Sequence, residues 1–189
     1  MKALKAKASI LALAAPFALA ACGDSAEPAG EATMDPAAAE TAEAQTATAE
    51  LKDTEGNVVG NVTVTGEDGA LMVEVNAMNM PAGMHGAHIH ETGDCSAGDF
   101  ASAGGHWNPD NKNHGPNSEP PNPHAGDIGN IEIAEDGTGT LSNTSSGTWA
   151  GLMDADGSAF VVHADADDKE SQPSGNAGAR IACGVFVSS

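Results

Sequence analysis

Seven histidines stand in this chain, and six of them fall between positions 85 and 124. Two form the run His88-Ile89-His90, which reads as strand. With a side-chain period of two, both imidazoles leave the same face. Their Cα atoms are then roughly 6.5–7 Å apart, close enough for both rings to reach one ion. His106, His114, His124 and Asp127 add three imidazoles and a carboxylate, a donor set suited to closed tetrahedral zinc. His163 ends the apolar run Val161-Val162-His163 and brings one more imidazole. His85 lies an odd three residues from His88, which turns it to the other face of the strand. It reads as a buried, hydrogen-bonded structural histidine. Any one of these rings alone would pass for a surface or core histidine. Six of them, interleaved with glycine and proline turns that can fix loop geometry, point to metal chemistry.

Rings placed this way need strands to aim them and loops to close over them. Asn61-Val62-Thr63-Val64-Thr65 and Leu71-Met72-Val73-Glu74-Val75 alternate with period two, and turns such as Glu67-Asp68-Gly69 and Glu135-Asp136-Gly137 separate the runs. About eight strands are expected, near 48–53, 56–65, 69–78, 84–91, 126–134, 137–143, 159–163 and 179–187. Short strands joined by hairpin turns argue for an all-β antiparallel barrel or sandwich. Two stretches break the rhythm, Gly93–Pro123 with five prolines and Ala164–Gly178. A loop of that length in a compact domain is expected to be functional, and the first carries ligand-type residues.

The chain has 189 residues, 27 of them acidic and 7 basic, for a net charge of −20. So few, scattered cations exclude a nucleic-acid binder that works by neutralising phosphates, and they oppose an electrostatic grip on anionic lipid. Residues 1–21 read as an export signal: Lys2, Lys5 and Lys7, then an apolar stretch too short to span a bilayer comfortably. The run Leu19-Ala20-Ala21-Cys22 resembles the bacterial lipobox, which implies lipidation of Cys22 after cleavage. By resemblance to Gram-negative sorting patterns, Gly23 rather than an aspartate after the cysteine leans toward the outer membrane. Loss of the three leader lysines leaves a net charge of −23. Residues 22–47 are rich in Ala, Glu, Thr, Pro and Gly without an apolar period, and are expected to form a disordered acidic tether. The functional domain is then 48–189. Cys95 and Cys183 remain as an even pair in an oxidising compartment, so a disulfide is expected.

The run Gly83-Met84-His85-Gly86-Ala87-His88-Ile89-His90-Glu91 resembles the first signature of copper–zinc superoxide dismutases. Gly175-Asn176-Ala177-Gly178-Ala179-Arg180-Ile181-Ala182-Cys183-Gly184-Val185 resembles the second. Gly104-Gly105-His106-Trp107-Asn108-Pro109 and His124-Ala125-Gly126-Asp127-Ile128-Gly129-Asn130 are similar to the zinc-loop elements between them. The resemblance spans about Thr48 to Phe186. It implies an eight-stranded antiparallel Greek-key barrel, also described as a sandwich, with two long functional loops. The implied activity is dismutation of superoxide to oxygen and hydrogen peroxide, protecting the cell envelope.

By the same resemblance, copper is held by His88, His90, His106 and His163. Zinc is held by His106, His114, His124 and Asp127, with one ion of each metal per chain. His106 is the implied bridge and exchanges a proton during turnover; its divergent ring nitrogens suit that role. Asp167 matches the carboxylate that hydrogen-bonds His88 and His114, and Cys95–Cys183 matches the family disulfide. Arg180, the only arginine, matches the residue that guides the superoxide anion, with Lys169 as a weaker candidate. Ala87 departs from the family, which often has a bulky aromatic there.

The competing expectation is an envelope lipoprotein that stores or delivers copper without turnover, resting on Met78, Met80 and Met84, whose thioethers suit Cu(I). Against it, Met78 and Met80 share a strand face and would fill the core. The expected location is the bacterial envelope, lipid-anchored and facing the periplasm, with contact to membrane through the anchor alone. Monomer and homodimer are both open from the sequence.

Overall fold

The computed structural model describes residues 44–67, 69–117 and 123–189. The expected export signal, Cys22 and most of the expected tether lie outside the described residues. Eight strands form the framework: β1 (Gln45–Asp53), β2 (Val58–Glu67), β3 (Ala70–Ala77), β4 (Gly83–His90), β5 (Asp127–Ile133), β6 (Gly139–Ser145), β7 (Ala159–His163) and β8 (Arg180–Val185). A two-residue strand, β9 (Val187–Ser188), follows β8 and pairs with β1. The expected single strand over 179–187 is thus split, with Phe186 turned into the core between the two parts.

All pairings are antiparallel, in the order β5-β4-β7-β8-β1-β2-β3-β6. The non-sequential neighbours β3·β6, β4·β7 and β1·β8 give the expected Greek-key connectivity. Strands β5 and β6, at the two ends of this path, follow each other through a tight turn in which Ala134 N–H donates to Thr138 O. The result is a nearly closed barrel. One four-residue helix (Trp149–Leu152) and one 3₁₀ turn (Ala101–Ala103) are the only helical elements among the described residues.

Period-two patterning built the barrel interior. Leu71, Val73, Val75 and Ala77 of β3 point inward and alternate with exposed residues, as do Ala47, Ala49 and Leu51 of β1. Strand β1 starts three residues before the expected domain boundary at 48. Gln45, Thr46 and Ala47 pair with Gly66, Thr65 and Val64, so Ala47 belongs to the core and not to the tether. Strand β7 is buried along its whole length because both faces are covered. Phe160 and Val162 enter the main core, while Ala159 and Val161 join a second cluster with Phe100, Ala103 and Cys183. Directly paired residues share a face. His88 opposite Val161 and His90 opposite Ala159 therefore stand on the outer side of the barrel, beneath the loops 91–126 and 164–179.

The Cys95–Cys183 disulfide is present, with Cα atoms 5.9 Å apart, and ties the first of these loops to β8. Met80 is buried, but Met78 lies beyond the end of β3 and is 43% exposed, so the expected core role holds for Met80 alone.

Candidate metal centre

Three segments converge on the outer face of β4 and β7. Strand β4 brings His88 and His90, and β7 ends in His163. The long loop brings His106 alongside β4: Trp107 N–H donates to Ile89 O, Glu91 N–H to Gly105 O, and Ile89 N–H to Gly126 O. A Cβ at Gly126 would overlap Ile89 O, so only glycine lets the loop return this close to the strand. Trp107, next to His106, turns the other way and packs in the core against Gly147 and Gly151, where a Cβ would strike its ring. Adjacent residues thus anchor the loop and present the imidazole.

The potential ligand atoms fall into overlapping groups, each within 4.8 Å: His88, His90, His106 and His163; then His106, His114, His124 and Asp127; then His88, His114 and Asp167. His106 belongs to the first two. Its Nδ1 lies 3.0 Å from Asp127 Oδ1, and its ring centroid is 3.9 Å from that of His88.

Second contacts fix the orientation of most rings. His90 Nδ1 is 3.0 Å from Gly104 O, His163 Nδ1 is 3.2 Å from Gly178 O, and His124 Nε2 is 3.1 Å from Lys112 O. A carbonyl only accepts, so each of these nitrogens carries the proton and the other is left with a lone pair. His90 Nε2 and His163 Nε2 accordingly face each other at 3.4 Å. Asp167 joins the groups: Oδ2 lies 2.8 Å from His88 Nε2, and Oδ1 lies 2.9 Å from His114 Nε2. His114 Nδ1 is 2.9 Å from Asp127 Oδ1. His85 is buried away from the groups, its nitrogens 2.9 Å from His163 O and 2.9 Å from Pro81 O.

Among the described residues, His88 Nδ1 and His106 Nε2 are buried without a hydrogen-bond partner, and His124 Nδ1 meets only Asp127 Oδ1, at 3.3 Å. Buried polar atoms are nearly always paired, so unpaired nitrogens within convergent imidazole groups are lone pairs that fit metal ligation. The donor set fits copper in the four-imidazole group and zinc in the group with the carboxylate. In the four-imidazole group the electrostatics agree with that chemistry. Burial, with a contribution from His106, lowers His90 to about 2, and burial lowers His106 and His163 to about 4. These rings are therefore neutral ligands near pH 7. Burial opposes ionisation of Asp127, but hydrogen bonds from His106, His114 and His124 outweigh it and hold the carboxyl below its usual range. Burial also disfavours a charged His114, yet its bonds to Asp127 and Asp167 raise it to about 9.

Arg180 pairs with His163 across β7 and β8 and is half-buried. Its guanidinium donates to Phe100 O and Gly104 O, both at 2.6 Å. Gly104 O thus serves both Arg180 and His90, and the cation also presses down the proton affinities of His90 and His163. Sequence reasoning missed the carboxamides Asn108, Asn130 and Gln172, whose contacts hold backbone at this centre. Asn108 and Asn130 stand within the zinc-loop runs but drew no role there, and Gln172 gave no signal.

A sequence model of the family described as copper/zinc superoxide dismutase (SODC) matches residues 58–186. The superoxide dismutase [Cu-Zn] of Caulobacter vibrioides is 42% identical over 147 residues, covering 74% of this chain and 84% of that protein. The superoxide dismutase-like protein YojM of Bacillus subtilis is 40% identical over 146 residues, covering 73% of this chain and 74% of that protein. Among solved structures, a SOD-like protein from Bacillus subtilis aligns with a TM-score of 0.69 at 39% identity, covering 74% of this chain and 97% of that one. The clock protein EA4 aligns with a TM-score of 0.62 at 35% identity, over 77% of this chain and 95% of that one. The matched region contains β4, β7, β8 and both loops that carry the histidine groups, so barrel and centre share one ancestry: this chain belongs to the copper/zinc superoxide dismutase family.

Proposed function

We propose that the chain converts superoxide to molecular oxygen and hydrogen peroxide. The family includes proteins named only as dismutase-like, so the reading rests on the centre itself. The carrying observation is that a complete set of four buried imidazoles converges, with two of its inward nitrogens unpaired. His88, His90, His106 and His163 would hold copper, and His106, His114, His124 and Asp127 would hold zinc. Copper among imidazoles supplies one-electron cycling, while zinc supplies charge without redox chemistry.

The chain's own groups do the rest. Gly104 O and Gly178 O set the tautomers of His90 and His163. Asp167 holds His88 and His114 together. With Nδ1 given to zinc, His106 Nε2 would be free, when not itself a ligand, to take a proton from solvent beside the other three rings and pass it to the peroxide product. Arg180 spends two of its five N–H donors on backbone carbonyls, leaving the others for the incoming anion. Elemental analysis is expected to find one copper and one zinc per chain. Zinc alone would remove the redox mechanism.

Residues 1–21 are read as a cleaved leader and Cys22 as a lipid anchor that places the domain in the periplasm, on the outer membrane, where it protects the envelope. The disulfide, the bacterial relatives and the lipobox-like run support this. The copper-store alternative has less support: Met80 is buried while Met78 and Met84 are exposed, so the three sulfurs do not form one accessible set.

A further inference from the structure

Three side-chain amides near the centre each grip both backbone polar groups of a single residue. Asn130 on β5 accepts from Asp167 N–H at 2.8 Å and donates to Asp167 O at 2.9 Å. Asn108 accepts from Lys112 N–H at 2.8 Å and donates to Lys112 O at 3.0 Å, the same carbonyl that orients His124. Gln172 accepts from His114 N–H at 2.8 Å and donates to His114 O at 3.0 Å. A carboxamide is the neutral side chain that offers a donor and an acceptor side by side, so each contact works like a rung of a β-ladder where no strand exists.

Gln172 differs from the other two in what it joins. It reaches from the loop 164–179 to a residue 58 positions away, in the loop 91–126. The contact is one of a cluster: Asn117 N–H donates to Lys169 O, and a Cβ at Gly115 would overlap that same carbonyl. His114 is fully buried, and both of its ring nitrogens are engaged at 2.9 Å, one by Asp127 and one by Asp167. A ring held at both ends stays aligned only while its backbone is fixed, and no regular secondary structure fixes it. Gln172 also secures its own loop through Glu170 O at 3.0 Å. That loop carries Asp167.

We propose that Gln172 is a positioning residue for the zinc group, coupling zinc binding to the order of the loop that carries Asp167. Gln172 touches neither metal nor substrate; it acts through the His114 backbone. The inference rests on the assignment of His106, His114, His124 and Asp127 to zinc. Removing Gln172 takes away the side-chain partner of both His114 backbone groups and frees the His114 ring to turn, so zinc leaves more readily.

The test uses the full-length protein. Zinc affinity is measured by competition with a chromophoric chelator, cobalt(II) absorption reports the same group, and hydrogen exchange follows the His114 amide. Gln172→Met is expected to weaken zinc binding by about tenfold, the lower end for groups that orient metal ligands. It should also alter the cobalt bands and speed exchange at His114. Gln172→Glu keeps the acceptor for His114 N–H, loses the donor and should fall between, which also provides the measurement if the methionine variant does not fold. Wild-type zinc affinity with unchanged cobalt bands in both variants would overturn the proposal. A wild-type chain that takes up no zinc would instead overturn the zinc assignment, and the proposal with it.

Discussion

At His106, Nδ1 faces Asp127 and Nε2 is buried without a partner among the copper-side rings. His124 belongs only to the group with the carboxylate, proposed for zinc, and His163 only to the four-imidazole group, proposed for copper. The substitution His106→Ala should therefore weaken binding of both metals, whereas His124→Ala should release zinc and leave copper bound; metal analysis after dialysis distinguishes them. The spacing of these residues was legible because histidine is rare and a strand period of two fixes which rings share a face. The contacts of Gln172 and Asn108 were not. Carboxamides are common in loops, and their partners are set by how two loops meet.

Protonation gives a second test at this scale. The unfolded chain takes up protons at histidine near pH 6.5, but the folded chain resists at His106 and His163 until about 4 and at His90 until about 2. The stability these rings contribute is thus complete above pH 6.5 and is lost as pH falls toward 4 and below. His114 runs the opposite way: raised to about 9, its contribution is complete below pH 6.5 and is lost as pH rises through 9. Below pH 6.5 the His114 contribution is constant, so the three neutral rings set the slope on the acid side. Urea unfolding of metal-free protein should show lower stability at pH 4.5 than at pH 6.5; equal stability would contradict the neutral imidazole cluster.

At the level of elements, the outer face of β4 and β7 supplies three rings, and glycines let the loops close over it. A Cβ at Gly175, whose φ is +65°, would overlap Asp167 Oδ1 and His114 Nε2. Gly175→Ala should push these two apart and weaken zinc binding about 10- to 100-fold, measured by chelator competition. The disulfide closes a span of 88 residues from the long loop to β8. In the chain-entropy account its loss, as in Cys183→Ser, costs roughly 4–5 kcal/mol, readable by denaturant unfolding. Most strands were legible because one face is core and the other solvent, as in the strict alternation of β3. The start of β1 was hidden because Gln45, Thr46 and Ala47 have the composition of the tether. Their pairing with β2 and β9 decides their structure.

For the whole molecule, the net charge of −20 sets a repulsive background for an anionic substrate. At physiological salt the Debye length is about 8 Å, so the field near the centre matters more than the total. Arg180→Ala should slow superoxide consumption while metal content holds, and Arg180→Lys should restore only part of the rate, because an ammonium lacks the planar fork that binds two carbonyls. The central claim, that the four converging imidazoles make a redox centre, is tested most directly by following superoxide decay with copper-loaded and copper-stripped protein. The account predicts rapid decay only with copper present and its loss in His163→Ala. Equal decay by the loaded and stripped forms would contradict it.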